Sequence, residues 1–509
     1  MPFRELTMFR SIRAFCIFLS FLSFITLSGM GAQEPPVKID VHWDKVVRVS
    51  KTIPTILYIG TPKTKRGAPL HDPMLNAIRE LGADDVRYAP CNLYPRLSIA
   101  ELEPPTKTST SWDFSLIDPY TEDAVSALDG HPVELNFSTI PEWMFKTPKP
   151  VAYPSDPERF FYDYEQGAEL RDPTYREVAD YFARVVSWYV DGGFKDELGK
   201  WHNSGHHYKV DYWGVLNEPD IEHGLSPEVY TRIYDAVVKA VHQVSPQTKF
   251  VSMSSSYPGS QSKFFDYFLD PRNHQPGISL DMISYHFYAV PGANDPPSVY
   301  PYTFFDQADR FLEVVGYIET IRERLSPRTG TMVDEVGTML PSDWDQGKPG
   351  YVFKPIALSY WNLSAAVYAY VFAGLARQGI DVATESLIPG YPGQFPSIAI
   401  LDWDSGQPNA RYRVLKLIID NFRPGDRIVD TQNSSGEVLT QGFVSSSGER
   451  KLLVVNKRDR KFTLALPGLA GGKLEVVDQS TGSNPPATGT IEGDSFSLGG
   501  LGVAVVTLR

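Results

Sequence analysis

Two glutamates in this 509-residue chain each stand where an apolar run stops. Tyr212-Trp213-Gly214-Val215-Leu216-Asn217-Glu218-Pro219 is a hydrophobic segment ended by an amide, a carboxylate and a proline, and Thr331-Met332-Val333-Asp334-Glu335-Val336-Gly337 also ends on a carboxylate. Read as strands, both deliver glutamate at the carboxyl end. Two carboxylates facing each other across a small gap can break an acetal: one protonates the leaving oxygen while the other meets the oxocarbenium charge, which is the chemistry of glycoside hydrolysis. A gap of about 5 Å implies a covalent intermediate and retention, whereas about 6.5 to 9.5 Å admits water between them and implies inversion. Taken alone, the Asn-Glu pair reads as a helix cap or a salt-bridged glutamate. The second glutamate in an equivalent place is what favours catalysis.

For the two to face each other, their strands must belong to one closed sheet. From about Pro54 to Phe422, short β-branched or aromatic runs alternate with longer stretches of helical period, the pattern of βα units around a parallel sheet. Eight strands are expected, at Thr55–Ile59, Asp85–Ala89, Pro132–Phe137, Asp211–Leu216, Lys249–Met253, Met282–Phe287, Thr331–Asp334 and Asp381–Thr384. Each is short and mostly apolar, as strands buried on both faces should be. Helices are expected at Pro73–Leu81, Tyr175–Tyr189, Pro227–Val244, Phe304–Leu325, Pro355–Arg377 and Ala410–Asn421, several with proline near the start and glycine past the end. The fold class is therefore α/β, a closed (β/α)8 barrel whose strand ends carry the site. Its span exceeds the ~250 residues of a minimal barrel, so enlarged loops are expected over the carboxyl ends. The longest are Pro90–Pro119 after the second strand and Lys195–Lys209 before the fourth. A doubly wound open sheet is the competing arrangement, but no G-x-G-x-x-G or P-loop follows the first strand.

After Arg423-Pro424-Gly425 the helical period vanishes and short strands appear at Leu452–Val455, Phe462–Leu466, Leu474–Asp478 and Gly502–Leu508, separated by Gly, Ser, Asn and Pro. This predicts a small β-sandwich, with Val37–Val49 pairing onto it from the other end of the chain. The expected division is a signal peptide over 1–32, the strand segment over 33–53, the barrel over 54–425 and the sandwich over 426–509.

Composition narrows the partners. Hydrophobic residues make up 42% of the chain and charged residues 21%, enough apolar side chain to bury a large core, and the net charge of -13 argues against a nucleic-acid partner. Two cysteines, Cys16 and Cys91, are too few for a disulfide scaffold or a thiolate zinc site. Arg4, Arg10 and Arg13 precede an apolar run from Ala14 to Leu27 and then small residues, which reads as a secretory signal. That run is shorter than the roughly 20 residues needed to span a bilayer. Secretion or export to a periplasm follows, with no stable membrane partner after cleavage; retention as an uncleaved anchor is the alternative.

The two glutamates, with Asn217 before the first, resemble the clan of retaining glycosidases on eight-stranded barrels, and within it glycoside hydrolase family 39, the β-xylosidase and α-L-iduronidase family. The resemblance extends to the tail, since that family also carries a small sandwich built from the chain's end and an amino-terminal segment. It implies Glu218 as general acid/base, Glu335 as nucleophile and Asn217 as the amide that binds the 2-hydroxyl. It implies that Arg87 supports the nucleophile, and that His286 or Tyr288, in Ser284-Tyr285-His286-Phe287-Tyr288, hydrogen-bonds the nucleophile or a sugar. It implies that Trp143, in Pro141-Glu142-Trp143-Met144, forms part of a sugar platform, a role open also to Trp344 and Trp403. Two departures bear on sugar specificity: Arg87-Tyr88 is followed by Ala89 where the family often has histidine, and Glu335 is followed by Val336-Gly337 where an aromatic residue is common.

His202, His206 and His207 lack H-E-x-x-H spacing and accompanying carboxylates, so no metal and no cofactor is expected. Asn136, Asn362 and Asn433 begin glycosylation sequons, the first two inside an expected strand and helix. No G-x-S-x-G elbow is present. The expectation is a secreted, exo-acting, xylosidase-like retaining glycosidase acting on poly- or oligosaccharides. An endo-acting barrel glycanase and a carbohydrate-binding protein without catalysis are the alternatives, and the oligomeric state is open.

Overall fold

The computed structural model describes residues 35 to 508 apart from 91–93, 150–151, 160–168, 346–347, 349–351, 353, 389–394 and 403. The signal segment, Cys16, Cys91 and Trp403 lie outside the described residues.

Eight parallel strands close into a barrel in chain order: Ile53–Tyr58, Val86–Tyr88, Val133–Leu135, Tyr212–Val215, Lys249–Ser255, Met282–Ala289, Gly330–Thr338 and Val382–Ile388. They are called the first to eighth barrel strands below. Closure pairs the seventh strand with the eighth and the eighth with the first, which excludes the open sheet. Nearly every strand residue is buried, because one face fills the barrel and the other meets the surrounding helices.

Eight helices follow the eight strands: His71–Leu81, Asp118–Ala127, Arg176–Val190, Pro227–Val244, Ser262–Phe268, Tyr300–Leu325, Leu358–Gln378 and Ala410–Asn421. The fourth shows why the sequence pattern works. Ser226 caps it by accepting from Val229 N, Pro227 opens it, and Tyr230, Ile233, Tyr234, Val237, Val238 and Val241 bury one stripe at three- and four-residue spacing. Two helices escape that pattern. Asp118–Ala127 buries only Tyr120, Thr121, Ala124 and Ala127, and Ser262–Phe268 is under two turns long.

The Lys195–Lys209 insertion corrects an expectation. It includes part of a hairpin, Gly193–Lys195 against Trp201–Asn203, and because it follows a helix and precedes a strand it lies at the amino end of the barrel, away from the site. The Pro90–Pro119 loop is at the carboxyl end, but Trp112 stacks on Phe114 and Tyr181 and ties it down to the Arg176–Val190 helix.

The tail forms a nine-stranded sheet in which Val37–Val49 runs antiparallel to Arg427–Asn433 and, through Val37 and Lys38, parallel to Phe462–Ala465. Alternation explains its place. Leu452, Val454, Ala504 and Val506 face a second core with Val37, Ile39, Leu464 and Leu498, while Leu453, Val455, Val503 and Val505 point the other way into the barrel's own core. The Leu358–Gln378 helix, sequestered between barrel and sheet, is accordingly apolar on nearly every side.

Candidate active site

The fourth strand ends in a backbone that only surrounding contacts can hold. Leu216 and Glu218 adopt φ of 63° and 40°, and Met253 and Ser254 at the fifth strand adopt 80° and 41°, conformations that cost roughly 1–3 kcal/mol each outside glycine. Tyr230 from the fourth helix binds both strand ends: Met253 N donates to its hydroxyl at 2.6 Å, and the hydroxyl donates to Val215 O at 3.0 Å. Glu218 N donates to Ser254 O at 3.0 Å. Gly214 completes the support, because a Cβ there would lie 2.4 Å from Asn136 Cγ, whose amide reaches Leu216 O.

On the seventh strand the ladder slips between Val333 and Glu335. Successive side chains of a regular strand point to opposite faces, and this bulge lets Asp334 and Glu335 both turn inward. Asp334 goes down into the barrel, where Ser254 Oγ donates to it at 2.6 Å; Glu335 goes up to the strand ends.

Glu335 accepts from two sides. Arg87 Nη1 donates to Oε1 and the Tyr288 hydroxyl to Oε2, each at 2.7 Å. Arg87 is fully buried beneath, donates its Nη2 to Asn217 Oδ1 at 2.6 Å, and has Asp334 and Glu134 at 3.6 and 3.8 Å from Nε. Asn217 in turn donates Nδ2 to Glu222 at 2.9 Å, so its amide has one orientation. His286 Nδ1 lies 2.9 Å from Glu218 Oε1 and 3.5 Å from Glu335 Oε2, with Asp334 3.4 Å from its Nε2.

These contacts give the ionisable groups unlike surroundings. Burial raises Glu218 above the usual carboxylate range, and the Glu335 charge adds to this against the opposing pull of His286. Burial alone would depress His286, but Glu335 and Asp334 outweigh it and hold the imidazole charged well above its ordinary range. Asp334 is buried too, yet Arg87 and His286 pull it down into the ionised form. Glu134, buried beside Arg87, is pushed up to about 8 by desolvation. The cluster thus sets Glu218, lifted by burial, beside Glu335, whose two oxygens each accept from a donor.

Asn217, Glu218, His286, Tyr288 and Glu335 line a cavity of about 600 Å³ at the carboxyl end of the barrel. Six of the seven residues expected from sequence therefore meet, Arg87 from below. Trp143 does not. Its indole N–H donates to Glu101 O at 2.9 Å and the Arg171 guanidinium covers its ring at 4.5 Å, so it serves loop packing and does not line the cavity. Trp344 does line it, edge-on to Phe395. Sequence reasoning passed over Asp334, whose signal was its place beside Glu335, and Ser386, whose Oγ lies 3.0 Å from the Tyr288 hydroxyl and which carries no signal at all. His202 pairs with Asp196, His206 with Asp118 and His207 with Val190 O. Among the described residues no group of His, Cys, Asp or Glu is arranged to hold a metal ion. No described helix is long and apolar enough to cross a membrane.

No protein-family profile matches the sequence, and no curated protein matches it. Solved structures do match the fold. A GH51 arabinofuranosidase from Xanthomonas axonopodis pv. citri superposes with a TM-score of 0.65 at 11% identity, over 93% of this chain and 100% of that one. An α-L-arabinofuranosidase from Thermotoga maritima gives 0.62 at 13% identity, over 93% and 99%. A GH30 endoxylanase from Clostridium papyrosolvens gives 0.57 at 14%, over 93% and 100%. The chain shares the eight-stranded barrel and carboxyl-terminal β-domain of these glycoside hydrolases.

Proposed function

We propose that this chain is a retaining glycoside hydrolase of the family 39 type, exported by its amino-terminal signal and acting at a chain end. The observation that carries this reading is that one atom, His286 Nδ1, stands 2.9 Å from Glu218 and 3.5 Å from Glu335. Two carboxyls within reach of one nitrogen favour the ~5–5.5 Å separation of double displacement over the wider gap that inversion needs.

In the first step a Glu335 oxygen bonds to the anomeric carbon as the bond to the leaving oxygen breaks, and the Glu218 proton passes to that oxygen. In the second, water attacks the same carbon, Glu218 takes its proton, and the Glu335 ester is released. Arg87 and Tyr288 orient the nucleophile, and Asn217 presents its amide where a 2-hydroxyl would lie. A cavity of about 600 Å³ has the size to take a terminal sugar, the exo mode of the proposal.

The test is hydrolysis of an aryl glycoside panel (β-xyloside, α-L-arabinoside, β-glucoside, β-galactoside, α-L-iduronide) by the native chain and by Glu335→Ala, with and without azide. Turnover that the substitution abolishes and azide restores as a glycosyl azide is expected. Activity surviving Glu335→Ala sinks the assignment, and oligosaccharide binding without turnover on any member favours a binding protein instead.

A further inference from the structure

We infer that the group released from this site is a hydrophobic alcohol, aryl, alkyl or alicyclic, and not the next sugar of a polysaccharide; this rests on the hydrolase reading above and names the substrate class of the same cavity. The leaving oxygen must lie against Glu218, so the leaving group occupies the wall on that side, built by the loops after the fourth, fifth and sixth strands and by the Tyr300–Leu325 helix. All of that wall falls within described residues.

Its surface is apolar. Ile221, Pro258, Phe287, Phe311 and Val314 line it, with Phe287 and Phe311 stacked at 4.5 Å. Ile221 follows Glu218 by one tight turn, its N–H bonded to Glu218 O, and is 49% exposed, as is Tyr257 at 62%. Such apolar surface beside an acid is left to be covered by whatever the acid protonates.

The serine hydroxyls of the wall are already engaged, and its other polar side chains, the Tyr257 hydroxyl and Arg310, belong to exposed residues. Ser256 Oγ donates to Asp220 at 2.7 Å and Ser260 Oγ to Tyr257 O at 3.1 Å, so both serine protons are used within the protein. Asp220 also receives Ser256 N and Ser255 Oγ, which fastens the fifth-strand loop to the loop that carries Glu218. Arg310 is the wall's one charged side chain beyond Glu218 and the catalytic cluster; it is paired with Asp306 and 74% exposed at the rim. A sugar seated here would surrender the hydration of several hydroxyls and find few partners, whereas an apolar body loses nothing by leaving water. Discrimination by such a pocket comes from buried apolar contact.

The experiment compares one glycone, chosen by the panel, on three leaving groups: methanol, n-octanol and a second sugar. Alkyl alcohols are chemically poorer leaving groups than sugar hydroxyls, so preference for the octyl glycoside cannot arise from leaving-group acidity. The expected kcat/KM for octyl exceeds that for the disaccharide by about tenfold or more, and Ile221→Asn and Val314→Thr each shrink the octyl-to-methyl ratio several-fold. Equal or faster turnover of the disaccharide overturns the inference while leaving the hydrolase reading intact, as does a ratio unmoved by both substitutions. No turnover of any glycoside overturns both.

Discussion

A methyl group on Gly337 would lie 2.9 Å from Cε1 of Tyr288. The tyrosine can pass this point and reach Glu335 only because residue 337 has no side chain. Arg411 closes the other side, its Nη2 3.2 Å from the same Cβ position. Gly337→Ala is therefore expected to displace the Tyr288 ring and lower kcat by about 10- to 100-fold, as misplacing a positioning group does. Tyr288→Phe, which removes the bond without changing the volume, should match it in kcat but keep wild-type thermal stability more closely. Unchanged kinetics in Gly337→Ala would show that the ring has room to move.

On the proposed assignment of Glu218 as the acid, His286 tunes its working range. Its charge and hydrogen bond pull Glu218 down against burial, so His286→Asn frees Glu218 to rise. The alkaline limb of the kcat/KM profile should move to higher pH while the maximum falls by roughly 10² or more. A limb that stays in place, or moves down, would separate His286 from the titration of Glu218.

Stability should fall as the solution becomes alkaline. Burial lifts Glu101 and Glu134 to about 8 and Glu385 to about 7 from an ordinary 4.5. Between the ordinary and the raised value the folded chain holds a proton that the unfolded chain has released, so each group costs up to ~1.4 kcal/mol of stability per pH unit across that window. His286, raised in the fold, works in the same direction. Asp196 and Asp270, both lowered to about 2, oppose this only in acid. Calorimetry at pH 5.5 and 8.5 should find the lower Tm at 8.5, and Glu134→Gln should reduce the difference. A Tm independent of pH would contradict this account of the buried glutamates.

The amino-terminal strand is part of the tail's core. Ile39 is 4% exposed, packed among Leu452, Val454 and Leu464, and its strand lies between Arg427–Asn433 and Phe462–Ala465 in the sheet. Ile39→Ala is expected to cost about 2–4 kcal/mol in denaturant unfolding. Because the sheet's other face belongs to the barrel core, the loss should appear in one transition and not in a separate early one.

The sequence by itself determined the eight strands, six of the eight helices and the two glutamates toward the carboxyl ends of the fourth and seventh strands, although the seventh runs on past Glu335 to Thr338; each is encoded locally, in apolar runs of strand length, stripes of helical period, proline at starts and glycine at ends. Asp118–Ala127 and Ser262–Phe268 were illegible, being too weakly patterned or too short. Tertiary structure alone decided the site. Arg87 meets Glu335 across 248 residues only when the barrel closes, and the bulge that turns both Asp334 and Glu335 inward is a property of paired strands that no single strand reveals. The same holds for what was misplaced. Trp143 follows a strand as a platform residue would, yet a bond to Glu101 and the cover of Arg171 hold it in the loop. Lys195–Lys209 is as long as a site loop, but the direction of the chain puts it at the wrong end of the barrel. Local patterns say which residues are buried and in what element; which of them touch is settled by closure.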